Sequence, residues 1–264
     1  MSQHVETAQP SSSVADAVVR MEAIVASLPR SDGIACFAQL YLAVTRGVQA
    51  RLAGLTFGDP RFLARLDVAF ADLFFAALDA FQRDPAQTPR AWLPLFQARS
   101  RRGIAPLQFA LAGMNAHINR DLPVALVATC RALGLSPERD SVQHTDFDRV
   151  NDLLAAVETQ AKQQYLSGWL RSLDHLFHHV HRIDDVVAMW NIGRAREAAW
   201  VNAEALWAIR DDADLTADYL SRLDRMTGFA GRGLLVPADT WLRRLQGTLG
   251  KPLPSRDDAP PARR

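Results

Sequence analysis

The chain has 264 residues, 48% of them hydrophobic and 22% charged, an ordinary globular composition that excludes disordered, collagen-like and coiled-coil chains. Thirty Lys and Arg against 29 Asp and Glu leave a net charge of +1, too balanced to draw in nucleic acid or an anionic membrane surface. Two cysteines, Cys36 and Cys130, make no disulfide framework and lack zinc-finger spacing, which predicts a soluble, cytoplasmic protein.

The opening MSQHVETAQPSSS has neither a basic nor an apolar region, so residues 1–11 read as a disordered tail rather than a secretory signal. Between that tail and a second one at 251–264, apolar residues recur every three or four positions and no strand alternation is evident. Helices are expected near 12–28, 33–53, 61–82, 89–100, 104–133, 145–180, 184–210 and 213–226, with a short one near 238–247. Breaks fall at Pro29 to Gly33, Gly58 to Pro60, Asp84 and Pro85, Gly103, Gly134 to Pro137, and Gly228 to Pro237. Ser31 or Asp32, Asp59 ahead of Pro60, and Thr88 ahead of Pro89 are the expected N-caps. The expectation is one all-α domain over 12–250, with eight or nine helices and no stretch of 18 apolar residues to span a membrane.

The run GIAPLQFALAGMNAHIN from Gly103 to Asn119 carries no charge, and a helix apolar all round belongs at the centre of a domain. Within it stand Asn115, His117 and Asn119, followed by Arg120 and Asp121. His117 and Asp121 are four apart and share a face. Pro123 removes the hydrogen bond to the Asn119 carbonyl and predicts a kink there. A kink beside a His and an Asp suits a ligand or metal, and equally a His–Asp pair that only orients the chain.

On the preceding helix, Leu63, Phe70, Phe74, Leu78 and Phe81 lie within about 60° of Asp67, which places a carboxylate in the middle of an aromatic face. Such a group must meet a cation, a metal or several donors, or keep its proton; Arg46 and Arg194 are candidate partners.

The helix over 184–210 sets Trp190, Gly193, Glu197, Trp200, Glu204 and Trp207 on one stripe, with Arg194 at its edge. Glu197 can pair with Arg194 three residues away, whereas Glu204 has no such neighbour, which favours Glu204 as a functional carboxylate.

In HTDFDRVNDLL, His144 and Asp148 repeat the His-x-x-x-Asp spacing. Val150, Leu153, Leu154 and Val157 mark the apolar side and Asp148 points nearly opposite, so only coverage by another element would bring it into a site. In DHLFHHVHR, Leu173, Leu176, Phe177 and Val180 own the buried side. His175, His178, His179 and His181 therefore read as a rim that binds nickel or zinc adventitiously.

The blocks GMNAHIN-x-DL and DF-x-x-VN, followed by Arg194 and AAWVNAEALW, resemble an uncharacterised bacterial family known only as a domain of unknown function. That resemblance spans about Tyr41 to Trp207 and implies that Asn115, His117, Asn119, Asp121, Phe147, Asp148 and Asn151 are signature positions. The two His-x-x-x-Asp pairs are also faintly similar to the ligand pattern of zinc-dependent phospholipases C and single-strand nucleases. The sequence departs from that pattern in lacking an N-terminal Trp ligand, and it has Leu126 where a third histidine is expected.

No phosphate-binding glycine loop, G-x-S-x-G elbow, H-E-x-x-H helix or E-x-x-H pair is present, so no nucleotide cofactor is expected. Two functional readings stay open. In one, His117, Asp121, Asp67, His144 and Asp148 supply ligands to a divalent metal (zinc, iron or manganese), with His117 and Asp121 also acting in acid–base chemistry. Glu204 is then the general base, and Asn115, Asn119, Asn151, Arg194, Trp200 and Trp207 hold a small apolar or aromatic molecule undergoing ester, amide or phosphoester hydrolysis. In the other, the same groups satisfy one another inside a non-catalytic helical binding or interaction module.

Overall fold

A computed structural model of the chain describes residues 10–53, 57–151, 154 and 192–237. Regular structure among them is entirely helical, as the periodicity predicts. Helix α1 spans Val14–Ser27, α2 Gly33–Ala53 and α3 Pro60–Arg83; a 3-10 turn follows at Pro85–Gln87. Next come α4 over Leu93–Ala98, α5 over Pro106–Ala116, a π-helical turn at His117–Asp121, and α6 over Leu122–Leu133. Helix α7 covers 142–151, α8 Ile192–Ala208 and α9 Ala213–Leu234. The expected helix over 238–247, most of 145–180 and the start of 184–210 lie outside the described residues, as do Trp190 and the four rim histidines.

The expected caps account for the starts of α2 and α3. Asp32 Oδ1 accepts from the Ile34 N–H at 2.8 Å, and Asp59 Oδ1 accepts from the Phe62 N–H at 3.0 Å with Pro60 at the first helical position. The α1 cap is Ser13, whose side chain accepts from the Asp16 N–H at 3.2 Å. Gly134, left-handed at φ 66°, ends α6.

Two expected boundaries differ. Thr88 does not start a helix at Pro89: it closes the 3-10 turn, and α4 begins only at Leu93. The Arg90 and Ala91 N–H groups point instead at the Asp224 carboxylate of α9, at 2.7 and 3.0 Å. The second difference is α9, which runs through the glycines expected to end it, as far as Leu234. Gly228 is there for proximity rather than for a turn, since a Cβ on it would lie 2.4 Å from the Arg90 carbonyl oxygen.

Helix α5 is the central element. Every residue from Phe109 to Ile118 is buried, with α2, α4 and α9 packed around it. Gly113 lets α2 close on it, a Cβ there falling 2.3 Å from the Phe37 ring. Helix α6 packs between α3 and α8. The π-turn joining α5 to α6 therefore faces α3, α8 and α9 together.

Candidate functional site

Pro123 has no N–H to return to Asn119. The chain answers this with a wider turn instead of a sharp kink: the Leu122 N–H reaches back five residues to the His117 carbonyl. The widened turn carries His117 and Asp121 inward, each fully buried. His117 Nδ1 lies 3.3 Å from Asp121 Oδ2. Asp121 also accepts from Trp92 Nε1 at 2.9 Å and from Arg120 Nη1 at 2.8 Å. With both oxygens occupied by donors, Asp121 is a carboxylate that takes the His117 Nδ1 proton as a hydrogen bond, leaving Nε2 as a lone pair. Burial lowers the His117 pKa below its usual value, against the opposing pull of Asp121.

The His117 ring is boxed by aromatics. Phe70 stacks on it at 3.4 Å between centroids, and Tyr41 meets it edge-on at 4.4 Å. Asp67 sits on α3 one turn before Phe70, on the buried face that the periodicity predicts, and is 8% exposed. Neither expected cation is seen to meet it: Arg46 pairs with Glu22, and Asp67 Oδ2 has no hydrogen-bond partner among the described residues. Burial pushes its carboxyl up to about 7.

The asparagines on this turn are braces. Asn115 Nδ2 donates to the Thr227 carbonyl of α9 at 2.9 Å, and Asn119 Nδ2 donates to Asn115 Oδ1 at 3.0 Å. Together they tie α9 against the central helix.

A second polar group forms where α7 meets α8. His144 Nδ1 lies 3.9 Å from Asp148 Oδ2, and His144 Nε2 lies 3.7 Å from Glu197 Oε2. One ligand atom from each of the three residues falls within 4.8 Å of the other two. Asp148, half-exposed and pointing away from the apolar side of its own helix, belongs to the group because its carboxylate comes within 4.8 Å of ligand atoms of His144 and Glu197. An open pocket of about 420 Å³ adjoins, lined by Asp140, His144, Thr145, Asp148 and Arg149. Behind His144 stands Trp200, fully buried, with ring centroids 4.6 Å apart. Trp200 therefore backs the histidine and has no surface for a substrate.

Arg139, from the loop before α7, reaches both glutamates of α8: Nη2 to Glu197 Oε1 at 2.7 Å and Nε to Glu204 Oε1 at 3.5 Å. Glu197 is thus engaged by a residue 58 positions away, and Glu204, expected to lack a cation, has one. Arg194 is exposed. Trp207 is half-buried beneath the Arg210 guanidinium, 4.5 Å above its ring.

Sequence reasoning missed Arg196, Asp146 and Trp92. Arg196 is buried, donates from Nε to Asn151 Oδ1 at 2.8 Å and from Nη2 to the Phe147 carbonyl at 2.7 Å, and lies 3.9 Å over the Phe147 ring. Burial lowers its pKa to about 9. Asn151 is thereby the acceptor for a buried cation. Asp146, fully buried, accepts from the Gly58 and Asp59 N–H groups at 3.0 and 2.6 Å and so fixes the entrance to α3. The only sequence signal for Arg196 was its place four residues after Ile192 and four before Trp200, on the buried face of α8.

The five expected metal ligands therefore separate into two groups: His117, Asp121 and Asp67 in the core, and His144 and Asp148 with Glu197 at the pocket. Among the described residues no helix is long and apolar enough to cross a membrane. A model for a family of unknown function (DUF5995) matches residues 14–237. The chain belongs to that family, and the expectation of an uncharacterised family of unknown function is met. Comparison with curated proteins and with solved structures gives no match.

Proposed function

We propose that this member of the family is a metal-dependent hydrolase of small molecules, with its metal held by His144, Asp148 and Glu197. The observation that carries this reading is the approach of those three ligand atoms to within 4.8 Å of one another beside an open pocket. Ligands at about 2.0–2.2 Å from a zinc-sized ion sit roughly 3–3.5 Å apart, so side-chain rotations that draw the three atoms together by about 1–2 Å complete the geometry. One imidazole and two carboxylates suit zinc, manganese or iron, and three protein ligands leave positions for water and substrate. A bound divalent cation supplies a Lewis acid and a water of lowered pKa, which fits ester, amide or phosphoester hydrolysis.

The chain's own groups have distinct parts. Trp200 fixes the His144 ring from behind. Glu204 shares Arg139 with Glu197 and in this reading serves as the general base. Arg139 neutralises both glutamates, and Arg149, on the pocket wall and paired with Asp146 at 3.1 Å, turns its remaining N–H groups toward an anionic substrate in this reading.

Elemental analysis of untagged protein, with metal titration, tests the proposal. One equivalent of zinc or manganese should bind the parent chain and be lost in Glu197→Gln and His144→Ala. It should persist when His175, His178, His179 and His181 are replaced. Chelator-sensitive turnover of a p-nitrophenyl ester or phosphate panel should follow the same pattern. Metal lost only with the four rim histidines would overturn the assignment.

The non-catalytic reading has its own support. Asp121, Asn115, Asp146 and Arg196 all end in partners within the protein, as a purely structural network requires. Metal binding without turnover on any ester, amide or phosphoester would favour it.

A further inference from the structure

Three helices each bring one polar atom without a hydrogen-bond partner into the core: Tyr41 Oη from α2, Asp67 Oδ2 from α3 and His117 Nε2 from the π-turn. All three residues are more than nine-tenths buried. They share one compartment. Tyr41 and His117 are in ring contact, and Phe70, one turn beyond Asp67, lies flat on the imidazole. The Tyr41 hydroxyl is raised well above its usual pKa, by burial first and then by the Asp67 charge. Thr45 Oγ1 donates to the Tyr41 carbonyl at 3.1 Å and also interacts with the Tyr41 hydroxyl, lowering its pKa against those two effects.

These atoms have a shared chemistry. Asp121 holds the Nδ1 proton of His117, so Nε2 presents a lone pair; a metal-bound histidine nearly always gives its other N–H to a carboxylate in this way. Asp67 presents a carboxyl oxygen with no cation on it; burial disfavours its charge, and a bound cation is what would pair that charge once the proton leaves. Tyr41 adds a phenol oxygen. An imidazole nitrogen, a carboxylate and a phenol oxygen are all ligand types for a transition-metal ion. The set is independent of the pocket group: it lies on α2, α3 and the π-turn instead of α7 and α8.

We propose that Tyr41, Asp67 and His117 form a second, buried metal site that takes a single transition-metal ion, with Asp121 as the positioning residue for the His117 ligand. Asp121 itself is no ligand, because Trp92, Arg120 and His117 already use its oxygens.

Cobalt(II), whose visible bands report coordination by protein ligands, is the probe. The background is the full chain carrying Glu197→Gln and replacements of His175, His178, His179 and His181, which removes the pocket site and the rim. One equivalent should bind there, develop visible bands and raise the melting temperature. Tyr41→Phe and Asp67→Asn should each weaken binding by tenfold or more and change the band positions. Asp121→Asn should weaken it less and leave the bands in place. Iron(III) offered to the same background should give a phenolate charge-transfer band that Tyr41→Phe abolishes. Absence of cobalt binding in this background would overturn the proposal, whatever the pocket site does. So would binding that both Tyr41→Phe and Asp67→Asn leave unchanged. Tyr41→Phe removes one oxygen from a packed ring and should fold even where Asp67→Asn does not, so the question is answered in either case.

Discussion

His117 and Phe70 lie ring on ring, 3.4 Å between centroids and 5° from parallel, and that contact ties the π-turn to α3 one turn beyond Asp67. Two titratable groups of opposite charge type thus share one apolar compartment, and burial favours the neutral form of each.

Their effects on stability oppose each other along the pH axis. The Asp67 carboxyl is raised from 3.8 to about 7 in the fold, so between those values the native state holds more protons than the unfolded one and stability falls as pH rises. His117 is lowered from 6.5, so its neutral folded form loses stability as pH falls below that value. In chelated protein, Asp67→Asn removes only the first effect. The melting temperature of the variant, measured from pH 4 to 8, should gain on the parent steadily up to about pH 7 and then run parallel. A difference independent of pH would show that Asp67 is ionised throughout.

Gly228 and Gly233 stand on the same helix and should respond oppositely to alanine. At Gly228 the new Cβ meets the Arg90 carbonyl at 2.4 Å, against backbone that Asp224 holds in place, and overpacking of this kind costs about 1–3 kcal/mol. At Gly233 nothing lies within 4 Å, and alanine gains helix propensity worth up to roughly 1 kcal/mol. Urea unfolding should give a lower midpoint for Gly228→Ala and an equal or higher one for Gly233→Ala. A neutral Gly228→Ala would mean that α9 does not press on this turn.

The same glycine shows what the sequence could and could not convey. Periodicity exposed α5 as central and Asp67 as a carboxylate on a buried face, because both facts are local to one helix. It ended α9 at Gly228, because a glycine that permits close approach reads like one that permits a turn. It paired Glu197 with Arg194, the neighbour on its own helix, whereas the residue that reaches Glu197 is Arg139, far away in the chain. Asp148 was legible only as pointing away from its apolar side; that Glu197 of α8 comes within reach of it is a tertiary fact. Arg196 escaped because a charge on a buried face reads as an exception to the pattern. Its acceptors, Asn151 and the Phe147 carbonyl, come from another helix.

Arg196→Lys tests that buried guanidinium. Lysine keeps the charge but cannot reach Asn151 Oδ1 and the Phe147 carbonyl with one planar fork, nor stack on the Phe147 ring. The loss of one such charge-assisted bond costs roughly 1.5–3 kcal/mol. At about 2–4 °C per kcal/mol for a chain of this size, the melting temperature should fall by several degrees. An unchanged melting temperature would mean that α7 and α8 are held together by Phe147 and Trp200 packing alone.

Arg139 should act on the pocket site as a competitor for its ligands. Its guanidinium holds Glu197 Oε1 at 2.7 Å and stands 3.5 Å from Glu204, so it neutralises the charge a divalent cation would use and repels that cation. The Arg139 side chain is half-exposed and solvent screens it, which limits the effect to about 1 kcal/mol, or roughly fivefold in affinity. Isothermal titration with zinc or manganese should therefore find tighter binding in Arg139→Ala, with a smaller gain at high salt, while Glu197→Gln weakens binding at least tenfold. If Arg139→Ala instead weakened metal binding, Arg139 would be holding Glu197 in the orientation the metal needs, and the pair would have to be read as a positioning contact.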